Sequence, residues 1–196
     1  GKNESINTEV LLSLTPNAVI GFAVNGDNKT FNTIQKAGIP VLYNGDWTES
    51  QPLGKAEWIT FFGYLFDKET QAKQVFDSIT KNYNDAKKLA QQATKSPTVL
   101  SGSMYKDVWY APYGNSWAGR FIADANGSYL WKDTEGSGSI SLNIEAVLQK
   151  AQHADYWITT AGNTSKEEVE KRNPHYTQFD AFKHNNTFFA SKSGIT

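Results

Sequence analysis

The sequence predicts an α/β protein of two lobes joined by a long, rigid α-helix, with a ligand cleft between the lobes. Three observations carry that expectation. Apolar runs of strand length alternate with helix patterns towards both ends of the chain, which implies parallel sheets with helical crossovers. Between these regions, from Lys55 to Thr94, the pattern is helical and no strand signal interrupts it. Finally, Ser5-Ile6-Asn7-Thr8-Glu9 returns as Ser141-Leu142-Asn143-Ile144-Glu145. Each copy heads a helix that runs into an apolar strand, so the two lobes read as versions of one unit.

The elements follow in order. Asn7 sits where an N-cap belongs, Glu9 falls in the first turn, and Val10, Leu11 and Leu14 give a short helix its apolar face, ended by Thr15-Pro16-Asn17. Ala18 to Val24 is an apolar run of strand length, closed by the turn-rich Asn25-Gly26-Asp27-Asn28. Thr30 to Lys36 reads as a helix with Gly38 as its stop, and Ile39 to Tyr43 as the next buried strand.

From Gly54 the character changes. Trp58, Phe62, Leu65, Ala72, Phe76, Ile79, Tyr83, Ala86 and Ala90 recur at helical spacing. With Asp67 as a cap, a shorter helix gives way to a longer one from Lys68 to about Ala93, a rod of roughly 39 Å at ~1.5 Å per residue. The same stripe also fits an ordinary core helix beside one sheet. After Lys95-Ser96-Pro97 the alternation resumes: strand Thr98 to Ser101, helix Ser116 to Ala125, strand Ser128 to Trp131, helix Asn143 to Gln152, strand Tyr156 to Thr160, a charged helix Lys166 to Arg172 and strand Thr187 to Ala190. The expected division is 1–53 for a partial first lobe, 54–94 for the interlobe helices and 95–196 for the second lobe.

Composition narrows the function. The 196 residues suit one large domain or two small ones. A hydrophobic share of 39%, with 13% aromatic, supplies a core, and a net charge of −1 gives no sign of a nucleic-acid binder. The chain has no cysteine, which excludes disulfides, thiolate metal sites and cysteine nucleophiles. No apolar run approaches the ~18 residues of a membrane span. The opening GKNESINTEV lacks the signal-peptide pattern, so any export signal is expected to have been removed.

Catalysis has no candidate constellation. His153, His175 and His184 are scattered, without metal spacing or a plausible Ser or Asp partner. Gly136-Ser137-Gly138-Ser139 precedes a helix and reads as a flexible connection more than an anion site. Glu167-Glu168 lies on a solvated helix face. The chain is therefore expected to be no enzyme and to hold neither metal nor cofactor of its own.

EVLLSLTPNAVIG resembles the E-x-L-L-A-L-x-P-D-L-V-I segment of substrate-binding proteins of ABC importers for iron-siderophores, haem and cobalamin. Ala37 to Trp47 (AGIPVLYNGDW), Pro52 to Phe66 (PLGKAEWITFFGYLF) and Ala151 to Ile158 (AQHADYWI) continue the resemblance in family order. It implies two Rossmann-like lobes, one rigid hinge helix and a ligand held between the lobes. It also implies an ABC permease dimer as partner, a monomeric, periplasmic or extracytoplasmic protein, and a lipid anchor on a segment absent here. Relative to the family pattern, the chain reads as trimmed at both ends.

Glu9 and Glu145 gain a second meaning from the resemblance. Each alone is a first-turn carboxylate worth ~0.3–1 kcal/mol against the helix dipole. In related binding proteins a glutamate at this place on each lobe pairs with arginines of the transporter, so both are candidates for permease docking.

Open α/β sheets bind ligands beyond the carboxyl ends of their strands. The first lobe thus offers Phe22, Asn25, Asn44, Asp46 and Trp47 for ligand binding. The second offers Tyr105, Trp109, Tyr110, Tyr113 and Ser116 from an aromatic loop, with Ser191 and Lys192 after the last strand. Large flat rings suit a bulky chelate or macrocycle, although rings in such a loop also serve as core, Trp117 among them. The expected ligand is an iron-siderophore or related metal chelate. Alternatives are a corrinoid such as cobalamin, or haem with Tyr105, Tyr110 or Tyr113 as axial ligand. The other class of function is a ligand-sensing module that meets no transporter.

Overall fold

Asparagine side chains set where three of the helices begin. Asn7 Oδ1 accepts a hydrogen bond from Val10 N at 3.1 Å to start α1 (Thr8–Ser13). Asn28 Oδ1 accepts from Thr30 N and Phe31 N, each at 3.1 Å, to start α2 (Lys29–Lys36). Asn143 Oδ1 accepts from Ala146 N at 2.7 Å to start the helix Ile144–Ala151. Each bond satisfies a backbone donor that has no partner inside the helix. The computed structural model describes residues 6–22, 28–136, 138–159, 166–191 and 194–195. The chain divides into two compact units, Gly1–Thr48 and Glu49–Thr196.

In the first unit, β1 (Val19–Gly21) and β2 (Val41–Tyr43) pair in parallel, with Val19 opposite Val41 and Gly21 opposite Tyr43. Phe31 and Ile34 of α2, fully buried, form the core with Ile39 and Val41. Gly38, at φ +85°, lets the chain turn from α2 into β2. The first strand is shorter than its apolar run suggests, and Ala23 to Asp27, including Asn25, lie outside the described residues.

The second unit opens with α3 (Pro52–Leu65) and α4 (Glu69–Gln91). The 23 residues of α4 make a rod of roughly 35 Å. Asp67 is not its cap: it adopts φ +53° in the link, and Lys68 takes the N-cap position without a side-chain bond. Gly63 lets the two helices approach, because a Cβ there would lie 2.5 Å from that of Ala72. The strands β3 (Thr98–Ser101), β6 (Ser128–Tyr129), β8 (Tyr156–Thr159) and β9 (Thr187–Ser191) form a parallel sheet. With β10 (Gly194–Ile195) antiparallel at its edge, the order is β10-β9-β8-β3-β6. Thr98 donates from its N and Oγ1 to Asp155 Oδ2, both at 2.7 Å, tying the start of β8 to β3.

A second sheet departs from the expectation of a loop at Val108 to Trp117. The strands β4 (Ser103–Tyr105), β5 (Val108–Pro112) and β7 (Ser139–Leu142) pair antiparallel in the order β4-β5-β7. Ser139 therefore belongs to a strand and not to a flexible connection. Helices α5 (Trp117–Asp124), α6 (Ile144–Ala151), α7 (Lys166–Arg172) and α8 (Asp180–Lys183) complete the unit. One core spans both sheets, from Val99 and Leu100 to Trp109, Val147, Trp157, Val169 and Phe179.

The long helix is fastened to α5. Tyr83 Oη donates to Asp124 Oδ2 at 2.6 Å, Lys87 Nζ lies 2.7 Å from Asp124 Oδ1, and the rings of Tyr83 and Phe121 meet edge to face at 5.7 Å. Burial pushes the Asp124 carboxyl up, but the bonds from Lys87 and Tyr83 outweigh it and hold the group below the ordinary carboxylate range. A depressed folded pKa gives stability that is present above the unfolded value of ~4 and lost as the pH falls through the folded value. Urea unfolding followed from neutral pH to about pH 2 should therefore show Asp124→Asn less stable than the wild type at neutrality, with a shallower loss on acidification. Equal acid sensitivity in the two proteins would remove this cluster as a contributor.

Candidate functional site

In the first unit, Asn44 shapes the turn after β2. Its backbone N donates to Gly21 O at 2.8 Å and its Oδ1 accepts from Asp46 N at 2.9 Å, leading into the 3₁₀ turn Asp46–Thr48. This presents Trp47, 41% exposed, edge to face with Phe22, 46% exposed, at a centroid distance of 6.5 Å. Both rings thus form one solvent-facing aromatic pair, with the half-buried Asp46 beside Trp47 in the turn.

In the second unit, the site begins where β3 gives way to β4. Gly102 has φ +107°, and a Cβ there would run into Tyr110 O and Trp109 Nε1, so only glycine suits this switch. The hairpin that follows turns at Lys106 and Asp107, at φ +49° and +62°, the two-residue geometry that matches strand twist. Its tyrosines face solvent, Tyr105 at 64% and Tyr110 at 39% exposure, and Lys106 Nζ lies 5.3 Å from the centre of the Tyr105 ring.

Trp109 is a correction. It is fully buried, with Trp157, Tyr176 and Phe179 around it at centroid distances of 5.6 to 6.0 Å, and its Nε1 donates to Ser101 O at 3.2 Å. Strand alternation explains this: in β5, Tyr110 turns outward because Trp109 and Ala111 turn inward. Trp109 supports the hairpin from beneath and offers a ligand no surface.

The turn after β5 is internally tied. Ser116 caps α5: its Oγ donates to Tyr113 O at 2.6 Å and accepts from Gly119 N at 3.3 Å, so the hydroxyl is occupied by the fold. Tyr113 is half-buried, and a Cβ on Gly136 would meet its ring at 2.7 Å. Gly114 N donates to Thr134 Oγ1, and Gly136 N to Asn115 Oδ1, both at 3.0 Å. Trp117, half-buried at the start of α5, has Lys55 Nζ 5.6 Å from its ring centre. Ser191 ends β9; its side chain, Asn25 and Lys192 lie outside the described residues.

Glu9 and Glu145 occupy matching places. Each is exposed in the first turn of a helix capped by an asparagine two residues earlier. Sequence reasoning left unassigned a surface depression of about 290 Å³ lined by Glu49, Gly54, Glu57, Trp58, Thr60 and Phe61, in which Trp58 Nε1 donates to Glu49 Oε1 at 3.0 Å. Helical spacing marks Trp58 but not Phe61, and the contact between Glu49 and Trp58, nine residues apart, has no local signal.

Among the described residues, no group of His, Asp and Glu side chains is placed to hold a metal ion, and no helix is long and apolar enough to cross a membrane. His153 Nδ1 lies 2.7 Å from Asp180 Oδ2 at the surface. Asp180 is held down to about 2, first by its bond from Lys183 and then by His153.

Comparison with known proteins gives a consistent picture. Residues 1–193 match the family described as periplasmic binding protein. An uncharacterized lipoprotein of Methanocaldococcus jannaschii is 26% identical over 194 residues, covering 97% of this chain and 46% of its own length, so the chain spans about half of that relative. The periplasmic heme-binding protein HutB of Vibrio cholerae superposes with a TM-score of 0.75 at 16% identity, over 97% of this chain and 74% of its own. A protein of an ABC-type Fe3+-hydroxamate transport system from Saccharomonospora viridis gives a TM-score of 0.70 at 16% identity, over 96% and 66%. At these identities the solved structures share the α/β fold.

The two tyrosines and the tryptophan of the hairpin predict different mutational outcomes. Trp109→Ala should cost about 3–5 kcal/mol in urea unfolding, as for other fully buried large rings, whereas Tyr105→Ala and Tyr110→Ala should each cost under about 1 kcal/mol. A Trp109→Ala protein as stable as the wild type would return this residue to the solvent-facing set.

Proposed function

The chain belongs to the periplasmic binding protein family, and from that premise we propose that it is the substrate-binding component of an ABC importer. It captures an iron-siderophore or related metal chelate outside the cytoplasm and delivers it to a permease dimer. The observation that carries this reading is the pair of solvent-facing aromatic surfaces, Phe22 with Trp47 beyond β1 and β2 in one unit and Tyr105 with Tyr110 on the β4-β5 hairpin in the other. Exposed rings of this size have a ready use in covering a large ligand.

The polar ligand contacts of this reading are Asn44, Asp46 and Tyr113, joined by Asn25, Ser191 and Lys192. Ser116 fixes the turn that carries Tyr113. The protein acts by binding and performs no reaction. The lipoprotein relative favours a lipid-anchored, extracytoplasmic protein. Neighbours of the same fold bind heme or belong to Fe3+-hydroxamate transport, which keeps haem, with a tyrosine from Tyr105, Tyr110 and Tyr113, as a second reading beside siderophore and corrinoid.

Glu9 and Glu145 are the docking carboxylates of this proposal. Each sits exposed on an asparagine-capped helix start, so each can meet a basic residue without disturbing a ligand-facing ring. Reversing both to lysine should leave chelate affinity unchanged and lower stability by up to about 1 kcal/mol per charge. In proteoliposomes carrying the importer, ATP-dependent uptake should collapse, because like charges brought together at an interface cost several kcal/mol. Normal uptake by a folded double variant would refute the docking role. Chelate binding without stimulation of any importer by the wild type would favour a sensing module.

A further inference from the structure

The surface depression on α3 has no part in the chelate reading, and its lining is of one chemical kind. Gly54, Glu57, Trp58 and Phe61 follow at steps of three and one, so that they share one face of the helix. Gly54 leaves the first turn bare. A Cβ there would lie 2.9 Å from Glu49 Oε2, so the missing side chain is the room that the Glu49 carboxylate occupies. Trp58 Nε1 then holds Glu49 Oε1 at 3.0 Å. Glu57 is exposed, and its carboxylate has no partner among the described residues. The rings of Trp58 and Phe61 meet edge to face at 5.6 Å to form the wall. None of the residues that line the depression is basic.

Two carboxylates beside an aromatic wall suit a cation. The N-terminal dipole of α3 adds only roughly +0.5 charge, so the depression stays negative. A metal ion is poorly served, because a hard cation such as calcium takes about six to eight oxygens, and among the described residues no group is placed to hold one. An ammonium is strongly hydrated and keeps its water at so open a site. A guanidinium is more weakly hydrated, stacks on aromatic faces and meets carboxylates with paired N–H donors. The volume of about 290 Å³ lies at the lower end of the ~300–1,000 Å³ of small-ligand sites, enough for one such group and too little for a bulky chelate. We propose that Glu49, Glu57, Trp58 and Phe61 form a guanidinium-binding site, separate from the chelate-binding surfaces. Both carboxylates supply counter-charge and the two rings supply the apolar contact. The guanidinium belongs to a free compound of the arginine class or to an arginine side chain on another protein. Nothing in this inference depends on chelate binding.

Solution NMR of the isotope-labelled protein tests it, because the Trp58 indole N–H is itself part of the site and Trp58→Phe identifies its signal. Free L-arginine and a capped Gly-Arg-Gly peptide are the probes, with the citrulline peptide as the neutral control. A guanidinium probe should shift the Trp58 signal in a saturable way, and the citrulline peptide should not. Equal or tighter binding of the arginine peptide identifies the side chain of another protein as the source, and tighter binding of free arginine a free compound. Glu49→Gln keeps an oxygen for the Trp58 N–H and removes the charge. Combined with Glu57→Gln it should weaken binding at least about tenfold, with circular dichroism unchanged. Glu57→Gln alone, at an exposed position, should already weaken it several-fold, whereas Glu170→Gln, exposed on α7, should leave it unaltered. No shift with either guanidinium probe, an equal shift with the citrulline peptide, or wild-type affinity in the double variant would overturn the inference.

Discussion

Two indole N–H bonds at the end of β3 hold the second unit together where its two sheets meet. Trp109 donates to the carbonyl of Ser101 and Trp157 to that of Gly102, at 3.2 and 2.9 Å. The two rings lie 5.6 Å apart, and Tyr176 and Phe179 close around them. Met104 N donates to Tyr176 Oη at 2.9 Å, adding a third tie from the aromatic cluster to the hairpin backbone. Buried polar groups are tolerated only when paired, and here both indoles and the phenol are paired to backbone at the strand switch. The small antiparallel sheet is thereby fixed to the parallel one, and the outward turn of Tyr110 follows from that attachment.

The same economy links local capping to surface chemistry. Asn143 follows directly on β7, so the strand ends in the cap that starts α6 and presents Glu145. One short segment, Ser141 to Glu145, thus supplies a strand end, a helix cap and a candidate docking charge. In the first unit the corresponding cap, Asn7, presents Glu9 in the same way. Both copies of the segment realise the cap through the same Asn Oδ1 to backbone N–H bond.

Much of this was readable from residue order. Helical spacing and caps located α1, α2, α5 and α6 to within a residue or two, because capping depends on neighbours three positions away. The parallel strands were visible as apolar runs. The antiparallel sheet was not, although Ser139-Ile140-Ser141-Leu142 alternates with period two. Its glycine-rich approach read as a loop, and its pairing with β5 joins residues far apart in sequence. The ligand-facing set suffered in consequence: without the strand, nothing distinguished Trp109 from Tyr110, and their opposite fates follow from pleat alone. Asp67 failed as a cap for a different reason, since the chain needs a left-handed residue between α3 and α4 and asparagine or aspartate tolerates that role.

The central claim is that the aromatic cluster beneath the hairpin fixes a ligand-binding face above it. Backbone hydrogen exchange, read by mass spectrometry with and without a saturating iron-siderophore, tests it most directly. Amides of residues 103–111 should slow on binding, while those of β3 and β8, already buried, should exchange slowly in both states. Unchanged exchange throughout 103–111, with protection appearing only on α4 or the α6 surface, would contradict the account and move the ligand to another face.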